Sequence, residues 1–135
     1  MKTRSAALVS MLCVWHTNAA AQAWILASTT GPSVRIHHAM AYDSRRGQTV
    51  LFGGVGSGGP LADTWEWNGA GWALVASTGP ARRQEFAMVY DEQRAVTVLH
   101  GGNYAANYHD TWEWDGTVWR QTSDSGPTRF AHAMT

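Results

Sequence analysis

Lysine, cysteine and long apolar runs are scarce in this chain of 135 residues, and each scarcity closes off a class of protein. The single lysine, Lys2, stands near the N-terminus, and ten basic residues balance ten acidic ones to a formal charge of +0. Without a basic excess there is no electrostatic footprint of a dedicated nucleic-acid binder. Charged residues make up only 15%, too few for the solvated faces of amphipathic helices. No window holds a 3.6-residue apolar period, so helical bundles and acidic disorder both recede. The apolar stretch at residues 6–15 is about half of the ~20 residues needed to cross a bilayer, and no other segment is longer.

That stretch has a different reading. Lys2 and Arg4 precede it and the small-residue segment NAAAQA follows, the pattern of a secretory signal over residues 1–23. Ala21 and Ala23 fit the A-x-A cleavage positions, with cleavage after Ala21 as the alternative. The only cysteine, Cys13, lies inside this segment, follows Leu12 rather than the small residue of a lipoprotein signal, and leaves with it. Residues 24–135 then form a secreted or periplasmic domain with no disulfide, whose stability must come from packing. Eight arginines against ten acids give that domain a net charge of about −2 with neutral histidines.

What the chain does contain is glycine (14), tryptophan (8) and an internal repeat. Residues 31–54 match residues 79–102 at 13 of 24 positions without a gap, and residues 63–80 match 110–127 at 9 of 18. The period of 47 to 48 residues defines units at about 31–78 and 79–125, with a third beginning near 126, where Arg129 to Met134 restart the motif. Trp24 keeps the same distance to Pro32 as Trp72 to Pro80 and Trp119 to Pro127, so a quarter-unit precedes the first. Each unit predicts four short strands, in the first unit at 39–42, 49–52, 64–67 and 72–75. The glycine pairs Gly53-Gly54 and Gly101-Gly102 end the second strand. Asn68-Gly69 and Asp115-Gly116 supply positive φ at the last hairpin.

A four-stranded unit of this length that repeats has the size of one propeller blade. The R-x-x-H-A-M-x-Y-D opening, the LFGG or LHGG strand end, and DTWEW followed five residues later by another Trp resemble the kelch family. The likeness is to its secreted bacterial branch, related to the propeller of galactose oxidase, and it runs from Trp24 to Met134. The resemblance implies an all-β protein of two complete kelch blades with partial blades at both ends, an incomplete propeller.

Within that frame the repeated residues read as structural. Trp65 and Trp67 lie two apart on a strand and share a face, as do Trp112 and Trp114, and with Trp72 and Trp119 they fill the space between blades. An exposed tryptophan platform for stacking sugars is the alternative. His38 and His132 share a repeat position with Phe86, which points to packing. His37 and His38, neighbours on a strand, would face opposite ways, and no metal-ligand spacing occurs, so neither metal nor cofactor is expected. The copper chemistry of galactose oxidase needs a cysteine that residues 24–135 do not have. Gly54, Gly56 and Gly59 fit G-x-G-x-x-G, but Pro60 and a tryptophan strand follow where a helix would have to begin, so this is a flexible loop. No catalytic set is marked.

Antiparallel counting puts the loop between strands two and three on the same side as the loop between units. The first class diverges between units, and in the second unit it offers Asn103, Tyr104, Asn107, Tyr108 and His109 to a polar or carbohydrate ligand. The second class leads into Arg35, Arg83 and Arg129. The kelch resemblance implies that these line an anion-accepting rim, and the alternative is pairing with a neighbouring blade's carboxylate or carbonyls. Arg45, Arg46 and Arg82 read as solvated turn charges. The function expected is a secreted binding module for a polar, acidic or carbohydrate ligand or a protein partner, part of a longer propeller. A propeller-scaffold enzyme acting on sugars and a truncated, non-functional frame are the alternatives. A homo-oligomer would complete a ring if the chain is full length, since propellers have about four to eight blades.

Overall fold

The computed structural model describes residues 26–135; residues 1–23, expected above to be a signal segment, with Cys13 among them, and Trp24 lie outside the described residues. Ten strands and no helix make up the described residues, so none of them forms a helix able to cross a membrane. Strands β1 (Ala39–Asp43), β2 (Gln48–Phe52), β5 (Thr64–Trp67) and β6 (Trp72–Ala76) form one antiparallel sheet in the order β1-β2-β5-β6. Strands β7 (Ala87–Asp91), β8 (Val96–His100), β9 (Thr111–Trp114) and β10 (Trp119–Ser123) form a second sheet with the same up-and-down order. Between β2 and β5 lies a small hairpin of β3 (Val55–Gly56) and β4 (Gly59–Pro60). The glycine-rich segment read as a flexible loop is thus partly ordered, pinned by a bridge from Val55 to Ile36 and by the Leu61 amide donating to the Gly54 carbonyl.

Each strand is short because a turn residue ends it. The β1–β2 and β7–β8 turns are closed by Asp43 and Asp91, whose Oδ1 atoms each accept two backbone amides, those of Arg45 and Arg46 and those of Gln93 and Arg94. Asn68 and Asp115 do the same for the outer hairpins. Only Gly69 and Gly116 in those hairpins have positive φ, +92° and +93°, so Asn68 and Asp115 serve as side-chain caps rather than left-handed residues. Trp67 pairs with Trp72, which makes the outer turn four residues long. Both outer hairpins also carry a register shift at the same place, after Thr64 in one unit and between Gln121 and Ser123 in the other.

Strand alternation gives each sheet two faces. In the first sheet, Met40, Thr49, Leu51, Trp65, Trp67 and Trp72 share the front, while Ala41, Asp43, Val50, Phe52, Thr64 and Glu66 share the back. The back of the first sheet packs on the front of the second, and the core lies between them. Val50, Phe52 and Thr64 are wholly buried from one side, Leu99, Trp114 and Thr97 from the other. Phe52 meets Phe86 edge-on at 5.6 Å and Trp119 at 5.4 Å. Each large apolar side chain buried in this way contributes about 1.5–3 kcal/mol. Two indoles also find acceptors across the interface: Trp114 Nε1–H donates to Glu66 Oε1 (2.9 Å) and Trp119 Nε1–H to Thr64 Oγ1 (2.8 Å). Trp114 and Trp119 therefore fill the space between the sheets, while their counterparts Trp67 and Trp72 lie on the outer front face.

Arg46 is not a solvated turn charge. Its guanidinium grips both Glu66 oxygens (2.6 and 3.0 Å) and, through Nε, Asp43 (2.6 Å), and it lies against the Asp115-Gly116 turn of the second sheet. Glu66 raises the Arg46 pKa above its ordinary value, and Asp43 adds to this against the cost of burial. Burial opposes the charge on Asp43, yet hydrogen bonds and the charge of Arg46 hold its carboxyl below the usual carboxylate value.

Candidate functional site

Both loop classes meet at one end of the stacked sheets. The chain entering each unit crosses the glycine pair of that unit, and the next unit is stitched to the same place. Gly54 N–H donates to Arg83 O (3.0 Å), and Gly102 N–H donates to Arg129 O (2.8 Å). A Cβ on Gly54 would sit 2.6 Å from Ile36 O and one on Gly102 2.7 Å from Gln84 O, and φ is +84° and +91° there, so these positions need glycine. Gly53 and Gly101 are left-handed as well, at +59° and +70°.

A second ladder runs beside the first. Glu85 N–H donates to His37 O (3.2 Å) and Ala131 N–H to Glu85 O (2.7 Å). These three residues hold one repeat position, and all three are left-handed, with φ of +55°, +56° and +52°. His37 and His38 are therefore not strand neighbours. A left-handed conformation in three unlike non-glycine residues is a conformation the fold imposes.

The arginines of the expected rim are placed differently from one another. Arg35 donates to both oxygens of Asp63 (2.7 and 2.9 Å) and to Gly53 O. Arg83 repeats the arrangement with Asp110 (2.7 and 2.9 Å) and Gly101 O, and it is wholly buried. The indole N–H of Trp65 and Trp112 complete the two carboxylates at 2.6 and 2.7 Å. Burial works against the charge of Asp63 and of Asp110, but the facing guanidinium and indole hold both carboxyls below their usual value. Two of the three guanidinium groups are therefore turned into the fold and neutralised, which leaves Arg129, exposed, as the one of the three facing solvent. The spacing carries the signal for this pairing: Arg35 to Asp63 and Arg83 to Asp110 recur at 28 and 27 residues.

The loop between β8 and β9 is folded on itself. Asn103 exchanges backbone hydrogen bonds with Gln84 (3.0 Å each), accepts Gln84 Nε2–H at Oδ1 (3.1 Å) and donates Nδ2–H to Glu85 Oε2 (2.8 Å). Asn103 also bridges to Asn107, closing the loop. The Tyr108 ring covers the Arg83 guanidinium, 4.2 Å from Cζ to the centroid. Asn103 and Tyr108 thus hold the loop, while Tyr104, Asn107 and His109 point outward, Tyr104 at 49% exposure. Beside them, His37 Nδ1 lies 3.9 Å from Glu85 Oε1, both side chains partly exposed. Sequence reasoning passed over Glu85 and Gln84, whose counterparts one unit earlier are the imidazole of His37 and the apolar side chain of Ile36.

This end presents one carboxylate, an imidazole beside it, a phenol, an amide and a second imidazole on a rigid base. Such a set can form hydrogen bonds with hydroxyl groups and stack on a flat apolar face. Among the described residues no group of three or more His, Cys, Asp or Glu side chains could hold a metal ion. Compared with protein-family models and with curated proteins, the chain matches neither.

Proposed function

We propose that this protein is a secreted kelch-type binding module, its two sheets being blades of a β-propeller, and that its ligand is polar or carbohydrate in character. The observation that carries the reading is the loop of residues 103–109. Its base is fixed by Asn103 and Tyr108, and it holds Tyr104, Asn107 and His109 outward beside Glu85 and His37. Function in repeat folds gathers on such loops, which rigid elements position. A neutral polyhydroxylated ligand suits this end better than an acidic one, because Arg35 and Arg83 already serve Asp63 and Asp110. Glycan-array binding tests it. The expected outcome is binding of at least one glycan class that Tyr104→Ala and Asn107→Ala abolish while the fold is kept; no binding across the array, or binding indifferent to both changes, would sink the reading.

A second reading, an enzyme acting on sugars, is favoured by one feature: the His37–Glu85 pair at 3.9 Å, two proton-carrying groups on strained backbone. Turnover of a sugar substrate that disappears with Glu85→Gln would favour it.

A further inference from the structure

The interface between the two sheets is built from two unlike halves, and the chain carries a spare copy of each. The inserted half is the front of the second sheet, where Trp114, Trp119 and Met88 are buried and both indole N–H groups are bonded. Trp67, Trp72 and Met40 occupy the same register positions on the front of the first sheet. Their ring geometry is already that of the buried pair: Trp67 and Trp72 lie 5.6 Å apart at 49°, Trp114 and Trp119 5.6 Å apart at 41°. Residues 27–31 lie against Trp72, but no second sheet among the described residues covers this face. Met40 is 52% exposed where Met88 is 9% exposed, and the two free indole N–H groups have no acceptor among the described residues. A hollow of about 440 Å³ opens there, lined by Ala27, Ser28, Met40, Thr49, Trp67 and Trp72.

The receiving half is repeated at the other end. Glu113 and Thr111 on the back of the second sheet hold the places of Glu66 and Thr64, and Arg94 grips Asp91 and Glu113 as Arg46 grips Asp43 and Glu66. Glu113 keeps one oxygen free of the arginine.

We propose that two copies of this chain associate head to tail: Trp67 and Trp72 of one copy enter the back of the other copy's second sheet and donate to its Glu113 and Thr111. The occupant is a second copy because the donors, the acceptors and their spacing all stand on this molecule, in the register of an interface it already forms. The two faces are unlike, so the contact is heterologous and each copy keeps one face open for the next. The inference is independent of any ligand at the loop end.

Sedimentation velocity of the purified protein across a hundredfold concentration range tests it. Mass should rise with concentration, and the tryptophan emission should shift to the blue as Trp67 and Trp72 leave water. Met40→Glu blocks the front, on a side chain more than half exposed, and Glu113→Lys blocks the back. Each alone should weaken association at least tenfold, and their mixture should give a 1:1 dimer, since each supplies the face the other has lost. Two unfolded variants could not complement in this way. A single monomeric mass for the unaltered protein at every concentration overturns the proposal. Association that survives both substitutions overturns it equally.

Discussion

Glu66 is the residue on which the stacking of the two sheets turns. It is 8% exposed, it neutralises Arg46 with both oxygens, and it accepts the Trp114 indole. Removing Glu66 leaves Arg46 with Asp43 as its remaining carboxylate and the buried Trp114 indole N–H without an acceptor, so Glu66→Ala should cost about 2–3 kcal/mol in chemical denaturation. Glu113→Ala removes the same residue from the equivalent place where no sheet covers it, and should cost a small fraction of that. Equal losses for the two would contradict the asymmetry. Glycine gives a second contrast: Gly54→Ala forces a Cβ to 2.6 Å from Ile36 O at a φ of +84° and should destabilise by about 2 kcal/mol or more, whereas Gly58→Ala meets nothing within 4 Å and should change stability by under about 0.5 kcal/mol. Little of this was legible beforehand. Arg45 and Arg46 look alike in the sequence, and only the fold shows that Arg46 faces Glu66, 20 residues away.

At the scale of elements, the repeat replaces one aromatic pair by another. Phe52 and Phe86 meet edge-on at 5.6 Å, and one unit later His100 and His132 take their places at 5.8 Å. His100 is held by Thr111 Oγ1 and Pro127 O, but both ring nitrogens of His132 are buried without a partner. Burial lowers the His132 pKa, and the charges of His100 and Arg129 add to this. The undocked C-terminal segment therefore binds more protons than the docked one below about pH 6.5, the ordinary histidine value. Docking should be complete above that pH and weaken as pH falls through it toward the lowered value. Amide protection factors at residues 129–134, referenced to the intrinsic exchange rate at each pH, should fall from pH 7.5 to 5 more than those in β2 and β8; a uniform response would contradict the assignment. The eight strands of the two sheets were readable from turn residues and alternation, with ends within a residue of those observed, whereas the β3–β4 hairpin was not, because its glycines read as a flexible loop. The left-handed residues His37, Glu85 and Ala131 were not, because imidazole, carboxylate and methyl share no sign of a common backbone state.

For the whole molecule, the repeat in the sequence becomes a repeat of faces. Front and back differ in chemistry: indoles with donors on one, a carboxylate, a hydroxyl and small apolar side chains on the other. That polarity makes stacking directional, and it is the physical content behind the 47 to 48 residue period. The loop end follows from the same counting, which is why the sequence foresaw that the two loop classes would meet. The sequence offered pairing of Arg35 and Arg83 with a neighbouring unit as one of two readings, and the structure pairs each instead with a carboxylate of its own unit, Asp63 and Asp110, at the constant distance that carried the information. At the same scale, Tyr104→Ala should leave the melting temperature unchanged, as its ring is half exposed, while removing the glycan binding proposed for this loop.

Hydrogen exchange of the four indole N–H groups in a dilute sample tests the front-to-back stacking most directly. The Trp114 and Trp119 protons, buried and bonded to Glu66 and Thr64, should exchange slowly and together, and those of Trp67 and Trp72 rapidly. Four indoles exchanging at one rate would contradict the account.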